Sequence, residues 1–146
     1  KERYLNKKWI TRARPHVDRI ASAWLIKKFI DMDAEFAFAS KENPVNNGIP
    51  FDMVGVELTH HGEDCTFETI VKRFGIKDRA VREIAEIVHE IDLKDGKYER
   101  HESRGIDSIL RGLLNVYKDD QELLKAGFVV FEALYSSIRK TKTQKV

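Results

Sequence analysis

The sequence is poor in several things, and each shortage excludes something. It has a single cysteine, Cys65, in 146 residues, which rules out an internal disulfide framework and suits a reducing compartment. No apolar run approaches the ~20 residues of a membrane-spanning helix. The opening KERYLNKKWITR lacks the apolar stretch of a signal peptide. Charge of one sign is lacking too: 26 Lys and Arg face 24 Asp and Glu, a formal net charge of +2, which argues against a nucleic-acid or membrane surface. Aromatics are not interleaved with a basic stripe, so nucleic acid is an unfavourable partner. Repeats, low-complexity segments and an obvious linker are missing as well. We therefore expect a cytoplasmic protein, the alternative being one whose export signal or neighbouring domain was removed ahead of Lys1.

What is present fits one core. With 42% hydrophobic residues, a chain of this length buries about two-thirds of its unfolded surface. The periodicities predict a predominantly helical α+β domain, with a small N-terminal strand group and about five helices. Segment 1–8 reads as a flexible start, 9–139 as the single domain and 140–146 as a disordered tail. Trp9–Thr11 and the alternating Ala34–Ala39 read as strands, and Phe51–Val54 as a further short one. Between these two, Asn43-Pro44 and Asn46-Asn47-Gly48 mark a loop. Helices are predicted over Val17–Ile30, Phe67–Phe74, from Asp78 through Asp92, over Ser103–Val116, and from Asp119 to about Arg139. Thr66 and Asp78 are the expected caps of the second and third, and Gly96 the residue that closes the third.

Three stretches concentrate chemistry. At the start of the first helix stand His16, Asp18 and Arg19, with Arg12 and Arg14 just before them. Free N–H groups of a helix N-terminus plus guanidinium groups make an anion site. Equally, Asp18 serves as a helix cap and Arg19 as an ion-pair partner. The second stretch, Glu57 to Thr66, holds His60, His61, three carboxylates and Cys65 in ten residues. An extended backbone puts His60 and His61 on opposite faces unless Gly62 turns the chain. Cys65 is either a buried thiol or, with a depressed pKa, a redox group. In the third stretch His89 and Asp92 sit three apart on a helix, on one face, followed by Lys94 and Lys97. Those lysines also suit a helix C-terminus with no ligand at all.

Taken together, the runs RPHVDRIASAWLIKKFID (14–31), LTHHGEDCTFE (58–68) and HEIDLKDGK (89–97) closely resemble the chromate-resistance ChrB-type domain family. They come in the family's order, and the resemblance spans Trp9 to Tyr135. It implies a domain linked to chromate resistance, found alone or behind an N-terminal region, in proteins described as regulators or as exported. It also favours His60 over His61 as the working histidine.

The residues then support two functional readings and a structural one. In the first, a divalent transition metal (zinc, iron or manganese) is held by His60 and His89, with His16, Glu57 and Asp92 as further candidates. Arg12, Arg19, Asp18 and Lys94 then form an adjoining site for a small oxyanion or anionic small molecule. Its use is sensing, or metal-dependent hydrolysis or redox chemistry. The second reading is a metal-free module in which Arg12, Arg19, Lys94, Lys97 and the N-terminus of the first helix hold a tetrahedral dianion such as chromate or sulfate. The third is a polar network that only fixes the helices. A homodimer is compatible with each.

Overall fold

The computed structural model describes residues 2–45 and 47–144. It is helix-dominated, with five α-helices and a three-stranded sheet. The sheet is built around β1 (Lys8–Arg12), whose Trp9, Ile10 and Thr11 are all buried. A strand with both faces covered must lie at the centre, and β1 does, between β2 (Glu35–Ala39) and β3 (Ile49–Pro50) in the order β2-β1-β3. Both pairings are parallel, with Trp9 opposite Phe36 on one side and Ile49 on the other. The third strand is shorter and earlier than expected. Phe51 makes only an isolated bridge to Leu58, and Asp52 turns away with φ +51°. Gly48 permits the tight approach here, because a Cβ on it would lie 2.5 Å from the Lys8 carbonyl oxygen.

Parallel neighbours need a crossover, and α1 (Val17–Leu25) supplies it between β1 and β2, continuing as one π-helical turn to Ile30. Six apolar side chains of α1, Val17 through Leu25 less its polar members, are buried, so the helix is enclosed by its neighbours as its crowded apolar surface requires. Around it pack α2 (Thr66–Arg73), α3 (Arg79–Leu93) and α5 (Asp120–Gln144). The fifth helix comes so close that a Cβ on Gly127 would overlap Ile20. Trp24 meets Phe131 and Tyr135 across the same interface. Lying against α3 and α5, α4 (Glu102–Val116) buries only Ser103 and Leu110 fully.

Of segment 1–8, read as a flexible start, Lys1 lies outside the described residues, Lys8 opens β1, and the stretch between carries one turn of 3-10 helix and is tied to the fold. The buried Asp31 carboxylate accepts the N–H groups of Asn6 and Lys7, each at 2.8 Å, and the Trp9 indole N–H at 3.1 Å. Burial pushes the Asp31 carboxyl up, yet these donors outweigh it and hold it below the usual carboxylate range. At the other end α5 runs on to Gln144, past the expected end near Arg139. Lys145 and Val146, from the tail read as disordered, lie outside the described residues, as does Asn46.

Two caps differ from expectation. Asp78 does cap α3, accepting the Val81 N–H at 3.1 Å. The N-cap position of α2, however, is Cys65, with Glu68 accepting its N–H at 2.9 Å. Lys94, not Gly96, takes the left-handed conformation that ends α3, at φ +51°. Gly96 takes positive φ two residues later, inside the following turn.

Candidate metal and oxyanion site

In an open parallel sheet, the usual ligand site is the crevice outside the carboxyl ends of the strands, where the strand order reverses. That end is the C-terminus of β1. A cleft of about 400 Å³ opens at this point. The β1–α1 connection contributes Arg12, His16, Asp18 and Arg19, the turn after β3 contributes Asp52, and His60 and Asp92 close it from the other side.

Asp18 is the buried floor of the cleft, 3% exposed. Its Oδ2 accepts the Thr66 N–H and its Oδ1 the Phe67 N–H, each at 2.9 Å. It is a helix cap, as one reading held, but for α2 and not for its own helix. Asp18 Oδ2 also lies 3.0 Å from His60 Nε2, and Asp92 Oδ2 lies 3.1 Å from the same nitrogen. Asp52 Oδ1 stands 3.9 Å away and accepts the Thr66 hydroxyl at 2.8 Å. Three carboxylates thus surround one imidazole. Arg19 holds the rim, its Nε 3.4 Å from Asp52 Oδ2, and Arg12 lies exposed at the mouth.

This crowding shows in the acidities. His60 is raised to about 9, first by its hydrogen bond to Asp18 and then, against the effect of burial, by the charges of Asp18, Asp92 and Asp52. Asp92 is raised to about 6 by burial and by the Asp18 charge. Asp52 is raised for the same two reasons. The cluster has more negative charge than its own cations balance, and a proton on His60 relieves part of it.

A divalent ion would relieve more, and the donors fit one. Ligands about 2.1 Å from an ion are separated by about 3.0 Å along an octahedral edge, close to the two His60–carboxylate separations. Asp18, His60 and Asp92 offer one donor atom each, all within 4.8 Å of one another. One imidazole with carboxylates suits zinc, iron or manganese.

The other sequence candidates fall elsewhere. His89 is not beside His60. It is fully buried and does not line the cleft, with Nδ1 2.7 Å from Glu68 Oε1 and Nε2 2.9 Å from Asp95 Oδ2. The spacing of His89 and Asp92 suits one helix face, but other segments of the chain draw the two side chains to different partners, Glu68 and Asp95 for His89 and His60 for Asp92. Glu57 is exposed and paired with Arg73. His61 turns outward to the Glu57 carbonyl oxygen, because Gly62, at φ +58°, reverses the chain. Lys94 is exposed and does not line the cleft. Arg14 binds the carbonyl oxygens of Leu114, Tyr117 and Lys118 and the Asp120 carboxylate, so it fastens the α4–α5 corner instead of binding a ligand. His16 lines the cleft with Nε2 3.0 Å from Asp107, outside the carboxylate cluster. Cys65 is fully buried, and burial with the Asp18 charge pushes its thiol far above the ordinary range, which removes the thiolate a redox role needs.

Sequence reasoning missed Asp52, Asp107, Glu68 and Asp95. Asp52 alone carried a signal, being an acidic residue just beyond a strand end. The remaining three reach their histidines through packing between separate elements or through a turn.

The fold and cleft define a small α+β domain with a polar, ligand-accessible crevice at the switch point of a parallel sheet. The chain belongs to the ChrB C-terminal domain family, whose model matches residues 9–138. It is similar to Protein ChrB of Cupriavidus metallidurans, with 31% identity over 136 residues that make up 91% of this chain and 41% of the relative. The chain therefore spans less than half the length of that curated relative. No solved structure matches it. Among the described residues no helix is long and apolar enough to cross a membrane.

Proposed function

We propose that this domain binds a divalent transition metal through Asp18, His60 and Asp92, with Asp52 beside them, and takes a small oxyanion at Arg19 and Arg12 next to the ion. The observation that carries this reading is the convergence of three carboxylates on His60 Nε2 in an open cleft whose rim is cationic. The ion would neutralise the carboxylates and supply positive charge to an anion held by the guanidinium groups. The first turn of α1, which lines the same cleft, adds backbone donors on that side. The resemblance to chromate-resistance domains makes chromate the first oxyanion to try, with sulfate as its isosteric control. Sensing of the metal or the oxyanion is the role this arrangement supports best.

A metal-free oxyanion module is favoured by one observation, the guanidinium groups of Arg12 and Arg19 lining the cleft together with the first turn of α1. The two readings separate in one experiment. The chelator-treated chain is titrated calorimetrically with zinc and with manganese, and then with chromate in the presence and absence of the metal. Metal binding lost in His60→Ala and in Asp92→Asn, with chromate binding that needs the metal and falls in Arg19→Ala, is the expected result. Chromate binding without metal, lost in Arg19→Ala, would leave the metal-free module. No binding of either by the folded chain would overturn both.

A further inference from the structure

The run from His89 to Tyr98 is only partly used by the cleft, which takes Asp92. We infer that the C-terminal turn of α3 is a second divalent-cation site, with His89 Nε2 and carboxylate oxygens of Glu90 and Asp95 as ligands. These three groups come from residues i, i+1 and i+6, and the left-handed reversal at Lys94, at φ +51°, brings Asp95 back over the helix end. One donor atom from each then lies within 4.8 Å of the others.

Two further observations point to a cation as the ligand. Among the described residues the buried Glu90 Oε2 meets no hydrogen-bond partner, while Oε1 of the same group accepts the Tyr98 N–H at 3.0 Å. A buried carboxylate oxygen without a partner is costly. A proton on His89 accounts for Glu68 and Asp95, but it leaves Glu90 unmatched. The histidine is also prepared as a ligand usually is: its Nδ1 lies 2.7 Å from Glu68 Oε1, and that oxygen is itself fixed by the Cys65 N–H at 2.9 Å. A carboxylate behind the ring sets its tautomer and aims Nε2 at the ion. Asp95, with its side chain 40% exposed, gives the ion a way in. The donor set, one imidazole and two carboxylates, suits zinc or manganese.

This site is independent of the cleft and is tested in a chain whose cleft is disabled. Zinc is titrated calorimetrically into the metal-free wild type, His60→Ala, and the doubles His60→Ala/Asp95→Asn and His60→Ala/Glu90→Gln, with circular dichroism confirming the fold of each. Two ions per wild-type chain, one in His60→Ala, and at least tenfold weaker binding in both doubles are expected. One ion in wild type that disappears in His60→Ala would overturn the second site and leave the cleft standing. One ion that survives His60→Ala and weakens in both doubles would do the reverse. A surviving ion indifferent to Glu90→Gln and Asp95→Asn would also overturn the proposal.

Discussion

His60 shows how one residue's environment sets what it does. The same imidazole on the surface would titrate near its ordinary 6.5, and here its neighbours raise it to about 9. A histidine whose folded pKa is raised contributes stability that is complete below the unfolded pKa and is lost as pH rises through the folded one. The metal-free protein should therefore lose thermal stability between about pH 6.5 and 9, and His60→Gln should flatten that part of a Tm-against-pH curve. Under the metal reading the dependence of binding runs the other way. An ion must displace the His60 proton, so affinity should rise up to tenfold per pH unit from about pH 6 to 9, measured by calorimetry at several pH values. Asp92→Asn removes one of the charges holding the proton, so the His60 pKa followed by NMR should fall below about 9. A value unmoved by that change would show that Asp92 does not act on His60.

Among the elements, the short helix α2 decides the geometry of both histidine clusters. Its first N–H groups are taken by Asp18, from α1, and by Glu68, from its own first turn. Asp18 then meets His60 and Glu68 meets His89, so one helix end organises both clusters. Asp18→Ala leaves the Thr66 and Phe67 N–H groups buried without partners, and should cost about 1–3 kcal/mol in denaturant unfolding. Glu57→Ala breaks only the exposed pair with Arg73 and should cost less than about 1 kcal/mol. Equal costs would mean that Asp18 is not the cap of α2. The same helix shows why a cap was misread from sequence. Thr66 is a good capping type, but the helix begins one residue early and its N-terminus is satisfied by a carboxylate 48 positions away.

Across the whole molecule, the cleft edge is fastened to helices that follow it by about a hundred residues. Arg14 grips the α4–α5 corner and His16 meets Asp107 on α4. Arg14, at φ +55°, holds a backbone shape that favours glycine, so its side-chain contacts must hold the turn in place. Arg14→Ala should leave the core intact yet loosen residues 12–19, read as faster amide exchange there with little change in the α3 amides. Uniform acceleration over both would show instead that the corner supports the global fold. The helices, the first two strands and the three chemical stretches were all legible in the sequence. Their periodicities and residue types are local properties, and they survive folding. Which histidine meets which carboxylate was not legible.

By itself the sequence determined the class of fold, the placement of most elements and the family, because each rests on patterns within a few turns of chain. It also held His60, Asp18, Asp92 and Arg19 up as chemistry. Only the tertiary structure decided that Asp52 joins them, that His89 belongs with Glu68 and Asp95, and that Glu57, Lys94 and Arg14 stand apart. The physical reason is one of range. A side chain's partner depends on which helix end or strand edge packs beside it, and that is set by burying one shared core, not by any spacing along the chain.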